Sequence, residues 1–240
     1  MALLERSGNE AGDARNWLER VPPAYWAVGL ILVVVPAFVS DFVMFQIFGW
    51  SYILGLIALS LMFLGGYGGM VSLAQMALAG FAGYMVAIFG DSAISAISQS
   101  WPWWITIPLA LALTVVVASA VGWLAVRTTG IYTIMITLAI AAAFFYFTRQ
   151  NYDLFNGFQG FNSVLPPQLF GVDWRGPVAF YYLALFWAVA GYGSVLYISR
   201  APFGLALQGV RDNPRRMAAL GYNVTAHRVA AYAFAGLIAG

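Results

Sequence analysis

From Phe42 to Gly90 the chain runs 49 residues without a charged side chain. As one helix this stretch would rise about 74 Å at 1.5 Å per residue, more than twice the roughly 30 Å hydrocarbon core of a bilayer. It must therefore turn back, and Gly65-Gly66-Tyr67-Gly68-Gly69 is where the backbone is freest to do so. Spans are expected over 42–64 and 70–89. Only 8% of the 240 residues are charged and 62% are apolar, against about 25% charged in a soluble domain. Lipid must therefore surround most of the chain, and the expected fold is all-α, a polytopic bundle of transmembrane helices.

Charges divide the remainder. A 17-residue apolar run, 24–40, contains Trp26 and Pro36 and ends at Asp41. Beyond the polar connection 91–99, Trp101, Trp103 and Trp104 form an interfacial aromatic cluster. Further spans follow over 105–126, closed by Arg127, and 131–147, ended by Arg149. A long loop, 149–175, carries Asp153, Pro166-Pro167 and Asp173, and the next span covers 177–198 before Arg200. The polar segment 199–228 precedes a seventh span opening at Val229. Its 12 residues to Gly240 make about 18 Å of helix, so the chain is expected to stop inside a span, as the amino-terminal part of a longer protein. Residues 1–23 hold Glu5, Arg6, Glu10, Asp13, Arg15, Glu19 and Arg20, without the basic start and short apolar stretch of a signal peptide. They read as a short exposed cytoplasmic tail before a transmembrane domain over 24–240.

Orientation follows from the arginines. With the tail inside and strict alternation, Arg6, Arg15, Arg20, Arg127, Arg200, Arg211, Arg215, Arg216 and Arg228 fall inside, and only Arg149 and Arg175 outside. That asymmetry obeys the positive-inside rule and depends on the reversal at the glycines.

The chemistry excluded is as informative. No cysteine occurs, and His227 is the lone histidine, an interfacial residue beside Arg228. No metal site is expected. The span interiors contain no Asp, Glu, Arg or His, which argues against an acid–base catalyst and against proton coupling. No Gly-x-x-x-x-Gly-Lys-Ser/Thr loop is present, so the chain binds no ATP. A net charge of +2 is too small to suggest nucleic acid. No catalytic residue and no cofactor is expected, and energy for uphill transport must come from a partner. Small residues every fourth position (Ala79, Gly83 and Ala87; Ala231, Ala235 and Ala239; Gly236 and Gly240) predict close helix packing.

Within 199–228, Asn213 before Pro214 reads as an N-cap with proline at the first helical position, and Gly221 as a left-handed stop. A short helix is expected over 214–220, with Arg215 and Arg216 near its start. Upstream, Phe203, Leu207 and Val210 recur at helical spacing. Such a segment either lies on the lipid surface or docks a cytoplasmic motor. Asn223-Val224-Thr225 matches a glycosylation acceptor but falls on the side expected to be cytoplasmic, and is set aside.

Three stretches carry a family resemblance. Gly66-Tyr67-Gly68-Gly69-Met70-Val71-Ser72-Leu73-Ala74-Gln75 resembles the Gly-Tyr-x-Gly-x-x-Ser-Leu-Gly-His/Gln segment of LivM-type branched-chain amino acid permeases, with Ala74 in place of the usual glycine. Thr129-Gly130-Ile131-Tyr132 through Thr137-Leu138-Ala139 resembles that family's Gly-Ile-Tyr-x-x-x-x-Thr-Leu-Ala stretch. Pro202-Phe203-Gly204, Arg211-Asp212-Asn213 and Ala219-Leu220-Gly221-Tyr222-Asn223-Val224 are similar to its cytoplasmic loop, with Met217 where a polar residue is commoner.

The resemblance implies an ABC importer in the bacterial inner membrane, multi-pass with a cytoplasmic amino terminus. Its other parts would be a second, LivH-type permease, two cytoplasmic ATPases and a periplasmic solute-binding protein. The ATPase-coupling loop would use Phe203, Gly204, Arg211, Asn213, Pro214, Met217, Ala218, Ala219, Leu220 and Gly221. Closure of the ATPases would push this loop and move the spans around the glycine-rich break. Gly66, Gly68, Gly69, Ser72, Gln75, Tyr132 and Thr137 are the expected pathway positions. Permeases for urea or short amides share the same motifs. A stand-alone sodium-coupled carrier or channel, and a membrane enzyme, are the readings from other classes.

Overall fold

The computed structural model describes residues 23–92, 97–128, 130–161, 164, 174 and 176–240. The expected tail, Thr129 and most of the loop before residue 176, with Pro166-Pro167, Asp173 and Arg175, lie outside the described residues. The described residues are helical throughout, with no strand.

Helix α1 (Pro23–Val34) passes into a single 3-10 turn, Val35–Ala37, rather than running to residue 40. Pro36 sets this limit, because it has no N–H to give the carbonyl four residues back. That carbonyl belongs to Leu32, and it is taken by Tyr181 Oη at 2.7 Å. Tyr182 Oη donates likewise to the Val33 carbonyl at 2.9 Å. Since the Tyr181 proton is spent on Leu32, the 3.1 Å contact between Tyr52 and Tyr181 has Tyr52 as donor. The proline break is thus closed by side chains from a helix about 150 residues away in sequence.

A π-helical turn, Val43–Gly49, leads directly into α2 (Trp50–Gly66), matching the span expected over 42–64. Next come α3 (Gln75–Phe89), α4 (Trp103–Ala125), α5 (Ile131–Gln150), a single turn α6 (Tyr152–Phe155) and α7 (Pro177–Arg200). Two further short helices, α8 (Pro202–Asp212) and α9 (Pro214–Ala219), precede α10 (Val224–Ala239). The π turn with α2, and α4, α5 and α7, are long and apolar enough to cross a membrane. The apolar helices α3 and α10 are shorter.

Two starts differ from expectation. Helix α3 begins at Gln75, not at 70, because residues 67–74 spend their hydrogen bonds otherwise. Met70 N donates to the Leu64 carbonyl at 3.0 Å, and Leu73 N to Thr137 Oγ1 at 3.1 Å. Helix α10 begins at Val224, not 229, because Asn223 Oδ1 accepts the Ala226 amide at 3.0 Å. The Asn-Val-Thr triplet is therefore a helix cap, and the polar connection after α7 shrinks from 199–228 to 201–223. His227 and Arg228 consequently sit inside α10, as Arg149 and Arg200 sit in the last turns of α5 and α7, so the expectation of wholly uncharged spans is corrected at these helix ends.

Helix α10 is the hub and packs against α2, α3, α4 and α8. Its small stripe works as expected: Ala231, Ala235 and Ala239 are buried. Gly236 faces Ala118 of α4, and a Cβ at Gly122 would stand 2.5 Å from Tyr232 Cβ, so the two helices meet without room for a methyl. The stripe on α3 is corrected. Of Ala79, Gly83 and Ala87 only Ala87 is buried. The face turned inward is Gln75, Leu78, Ala82 and Met85, one residue and about 100° away around the helix. Several hydroxyls in the spans are satisfied by the backbone beside them, as when Thr114 Oγ1 donates to the Ala110 carbonyl at 2.7 Å.

Two clusters mark the two ends. Phe63, Leu64, Met70, Ala125, Val195, Leu207 and Tyr232 close one end, and Met85, Ile88, Ala110 and Phe155 close the other. Arg127, Arg200, Arg211, Arg215 and Arg216 follow helix ends or lie in α8 and α9 at the first. Arg149 lies in the last turn of α5 at the second.

Candidate functional site

The site is built where α8 meets the break between α2 and α3. Helix α8 is amphipathic, with Gly204, Ala206, Leu207 and Val210 buried. Leu207 belongs to the cluster formed by Phe63, Leu64, Met70 and Tyr232. Gly204 allows α8 to fold straight back on α7, since a Cβ there would come within 2.6 Å of Ser199 Cα. Phe203 stacks on His227 at 5.7 Å with an 11° tilt, which fastens the start of α8 to α10. Tyr222 meets the same imidazole edge-on at 5.6 Å. His227 is therefore a packing residue, in agreement with its reading as no ligand.

Helix α9 stands outside. Asn213 Oδ1 accepts the Arg216 amide at 3.0 Å, the cap read from the sequence, and Gly221 ends the turn with φ +90°. Met217 lies over Gly209 of α8, where a Cβ would be 2.8 Å from its sulfur. An apolar residue at this place is what lets α9 lean on α8. Pro214 is half-buried, Ala218 and Ala219 are exposed, and Leu220 is 66% exposed. One helix of the pair is anchored in the bundle and the other is presented outward.

Arg211 joins α8 to the break. Its Nη1 donates to the carbonyl of Gly66, the last residue of α2. That carbonyl has no partner within its own helix, and a cation is favoured at a helix C-terminus. The Arg211 stem fills the space over Gly69, where a Cβ would stand 2.5 Å from its Cγ. Gly69 also has φ +65°, a conformation that costs a residue with a Cβ about 1–2 kcal/mol. Two reasons therefore require glycine there. Nε of the same arginine is paired with Asp212 at 2.9 Å.

Most expected pathway positions gather on this break. Gly66 and Gly69 take Arg211 as described, and Gly68 leaves only 2.8 Å between a Cβ and the Leu64 carbonyl. Ser72 is fully buried, and its Oγ accepts the Ala74 amide at 3.3 Å. Gln75 is 2% exposed, with Oε1 3.3 Å from Ser60 Oγ. Thr137 is buried, accepts from Leu73 and donates to the Ile134 carbonyl at 3.0 Å, so α5 is tied to the break through one hydroxyl. Tyr132 stands apart, 66% exposed on α5.

Ser60 and Tyr232 belong to the same place and were missed by sequence reasoning. Tyr232 is fully buried, with Ser72 and Arg228 as its polar neighbours. Its phenol makes no hydrogen bond of normal geometry, and the same holds for Gln75 Nε2 and Arg228 Nε. Arginine four residues before tyrosine, one turn apart on a helix face, was the available signal.

Nearer the other end, a cavity of about 670 Å³ lies between α2, α3, α4, α7 and α10. Ile53, Leu56, Leu111, Trp187 and Leu237 are among its walls, and Ser194 is its one hydroxyl. That hydroxyl already donates to the Gly191 carbonyl at 2.7 Å. Nothing titratable lines it, and no group of potential metal ligands occurs among the described residues. The arrangement suits passage or packing of apolar matter rather than covalent chemistry.

Comparison with known proteins agrees. The family model described as branched-chain amino acid transport system / permease component matches residues 43–240. Searches of curated proteins and of solved structures return no match. The matched stretch runs from the π turn through α10 and includes the break, the Arg211 seat and the paired helices α8 and α9. The chain is a multi-pass membrane protein belonging to the branched-chain amino acid transport permease family.

Proposed function

We propose that this chain is a LivM-type permease subunit of an ABC importer for branched-chain amino acids, driven by ATP hydrolysed on separate subunits. The end that carries α8, α9 and most arginines faces the cytoplasm, as the positive-inside rule requires. There α9 docks an ATPase, with Ala218, Ala219 and Leu220 as the presented surface. A second permease of LivH type, a second ATPase and a periplasmic binding protein complete the assembly in the bacterial inner membrane.

The observation that carries this reading is the Arg211 contact. A push on α9 reaches α8 through Met217 and Gly209, and α8 holds the break through Arg211 on Gly66 and Gly69. Helix α8 cannot move as a unit without shifting residues 66–69. Because Leu73 is bonded to Thr137, α5 is drawn along. Motion at an ATPase interface would thus be delivered to the irregular backbone between α2 and α3, the arrangement expected of an alternating pathway.

The test is co-purification and coupling. Ala219→Glu with Gly221→Glu should remove the ATPase from the purified complex while the chain still inserts. Arg211→Ala should keep the ATPase bound and ATP turnover intact, but lower amino acid uptake at least tenfold. Retained co-purification of the acidic double variant would refute the docking surface. Concentrative uptake by the chain alone in liposomes, without nucleotide, would replace this reading by a stand-alone carrier.

A further inference from the structure

We propose that the start of α3, with Tyr232 and Gln75, is a carboxylate-binding site for the transported solute, closed in this conformation and opened by movement of the break. This rests on the transport reading above and narrows it, because urea and simple amides carry no carboxylate.

Three observations meet there. First, α3 begins inside the protein without a side-chain cap, so its first N–H groups lack intrahelical partners. The positive end of its dipole faces the break. The helix is 15 residues long, about 22 Å, and so shorter than the roughly 30 Å core.

Second, two side chains at this start are buried with an unused polar atom. Tyr232 is fully buried, and its phenol lies beside Ser72, whose Oγ holds the amide of Ala74, the residue before α3. Gln75, the first residue of α3, is 2% exposed. Ser60 has one proton and already donates to the Ile57 carbonyl at 2.6 Å. Ser60 Oγ is thus an acceptor, and whichever end of the Gln75 carboxamide faces it, at least one N–H of Nε2 is left over. Leaving buried donors unmade costs about 1–3 kcal/mol each. A site that tolerates two has a use for them in another state.

Third, the local charge is positive. Arg228, one turn from Tyr232 on α10, has its Nε buried and without a hydrogen bond, and no ion pair joins it to an acid among the described residues. A helix N-terminus, a phenol, a carboxamide and an arginine present N–H and O–H groups with no acidic neighbour. A carboxylate, which only accepts, is the complementary group. Ammonium, which only donates, is not, and neutral urea offers a single uncharged acceptor oxygen where a carboxylate offers two that share a negative charge.

The donors are sealed by the break itself, so access depends on the Arg211 hold on Gly66 and Gly69. The carboxylate would be admitted when α8 moves and released when the seal re-forms.

Equilibrium binding of labelled L-leucine to open membrane fragments carrying the full chain tests this. Unlabelled leucine should compete at least tenfold better than leucinamide, and urea should not compete. Tyr232→Phe and Gln75→Leu should each weaken leucine binding about tenfold. Equal competition by leucinamide, absence of saturable binding, or full affinity in both variants would overturn the site. If a variant fails to insert, the leucine-to-leucinamide ratio of the unaltered chain still decides. ATP-driven uptake that survives both substitutions would refute this site and leave the transport reading standing. Tyr232-dependent leucine binding in a chain that recruits no ATPase would do the reverse.

Discussion

Two spans of this protein are interrupted, and the two interruptions are finished differently. At the carboxy-terminal end of α1, Pro36 leaves the Leu32 and Val33 carbonyls to be taken by Tyr181 and Tyr182, with Tyr52 behind them. At the other interruption, residues 67–74 separate α2 from α3, and there the Tyr232 phenol and a Gln75 amide atom are left without partners. Proline deletes a donor and so leaves acceptors behind, which hydroxyls can satisfy permanently. The glycine break finds acceptors for the Met70, Leu73 and Ala74 amides but leaves the Tyr232 phenol and Gln75 Nε2 without one of good geometry. The first interruption is a finished joint. The second is held closed by one arginine and has unmade bonds in reserve, as expected of a part that moves.

The largest effect is predicted where that arginine sits. Gly69→Val would force a β-branched residue to φ +65° and put its Cβ on Arg211 Cγ. The backbone cost of about 1–2 kcal/mol adds to an overlap cost of about 1–3 kcal/mol, and the arginine must leave. Thermal unfolding in detergent should fall by several degrees, and uptake should be lost together with the Arg211 contact. Gly65, which has nothing within 4 Å of a Cβ and lies inside α2, should accept alanine with little change. Equal damage at both positions would mean that the glycine run needs only flexibility, not the Arg211 seat.

Much of this contrast was hidden in the sequence, and for identifiable reasons. The spans were legible because charge is excluded from lipid, and the reversal because five residues include four glycines. The start of α3 was misplaced because Met70, Val71 and Leu73 are as apolar as any helix, and hydropathy cannot register that Leu73 N is committed to Thr137. The start of α10 was misplaced because the polar stretch through Arg228 hid the cap that Asn223 provides. In the site, Asn213 and Gly221 were readable from local helix chemistry. The pairing of Arg211 with Gly66, 145 residues away, was not, since no local pattern announces which carbonyl an arginine will find. Tyr181 and Tyr232 both lie in apolar runs, and only the packing shows that one hydroxyl is bonded to a carbonyl while the other has only an off-geometry contact with Ser72.

A middle-sized effect is predicted at the finished joint. Tyr181→Phe removes the donor to Leu32 and the acceptor for Tyr52, leaving a buried carbonyl unpaired. The cost should be about 1–3 kcal/mol, read as a lower midpoint of thermal unfolding with uptake per folded molecule unchanged. Tyr182→Phe should cost less, because Tyr182 is exposed and water can take over at Val33. A joint that also served in transport would show reduced uptake per folded molecule instead.

The smallest effect, and the one that separates the two interruptions most sharply, is predicted for Tyr232→Phe in the absence of solute. The substitution is the same as at Tyr181 and the site is equally buried, both residues having no exposed surface. At Tyr232, however, the oxygen removed has only an off-geometry contact with Ser72, so its deletion breaks no well-made bond. Stability should be unchanged or rise by up to about 1 kcal/mol, while leucine binding falls. The pair of measurements therefore has opposite signs at the two breaks. If Tyr232→Phe destabilised the protein as much as Tyr181→Phe, the phenol would have to be bonded at rest, for instance to an ordered water. The glycine break would then be as finished as the proline one, and its donors would not be waiting for a carboxylate.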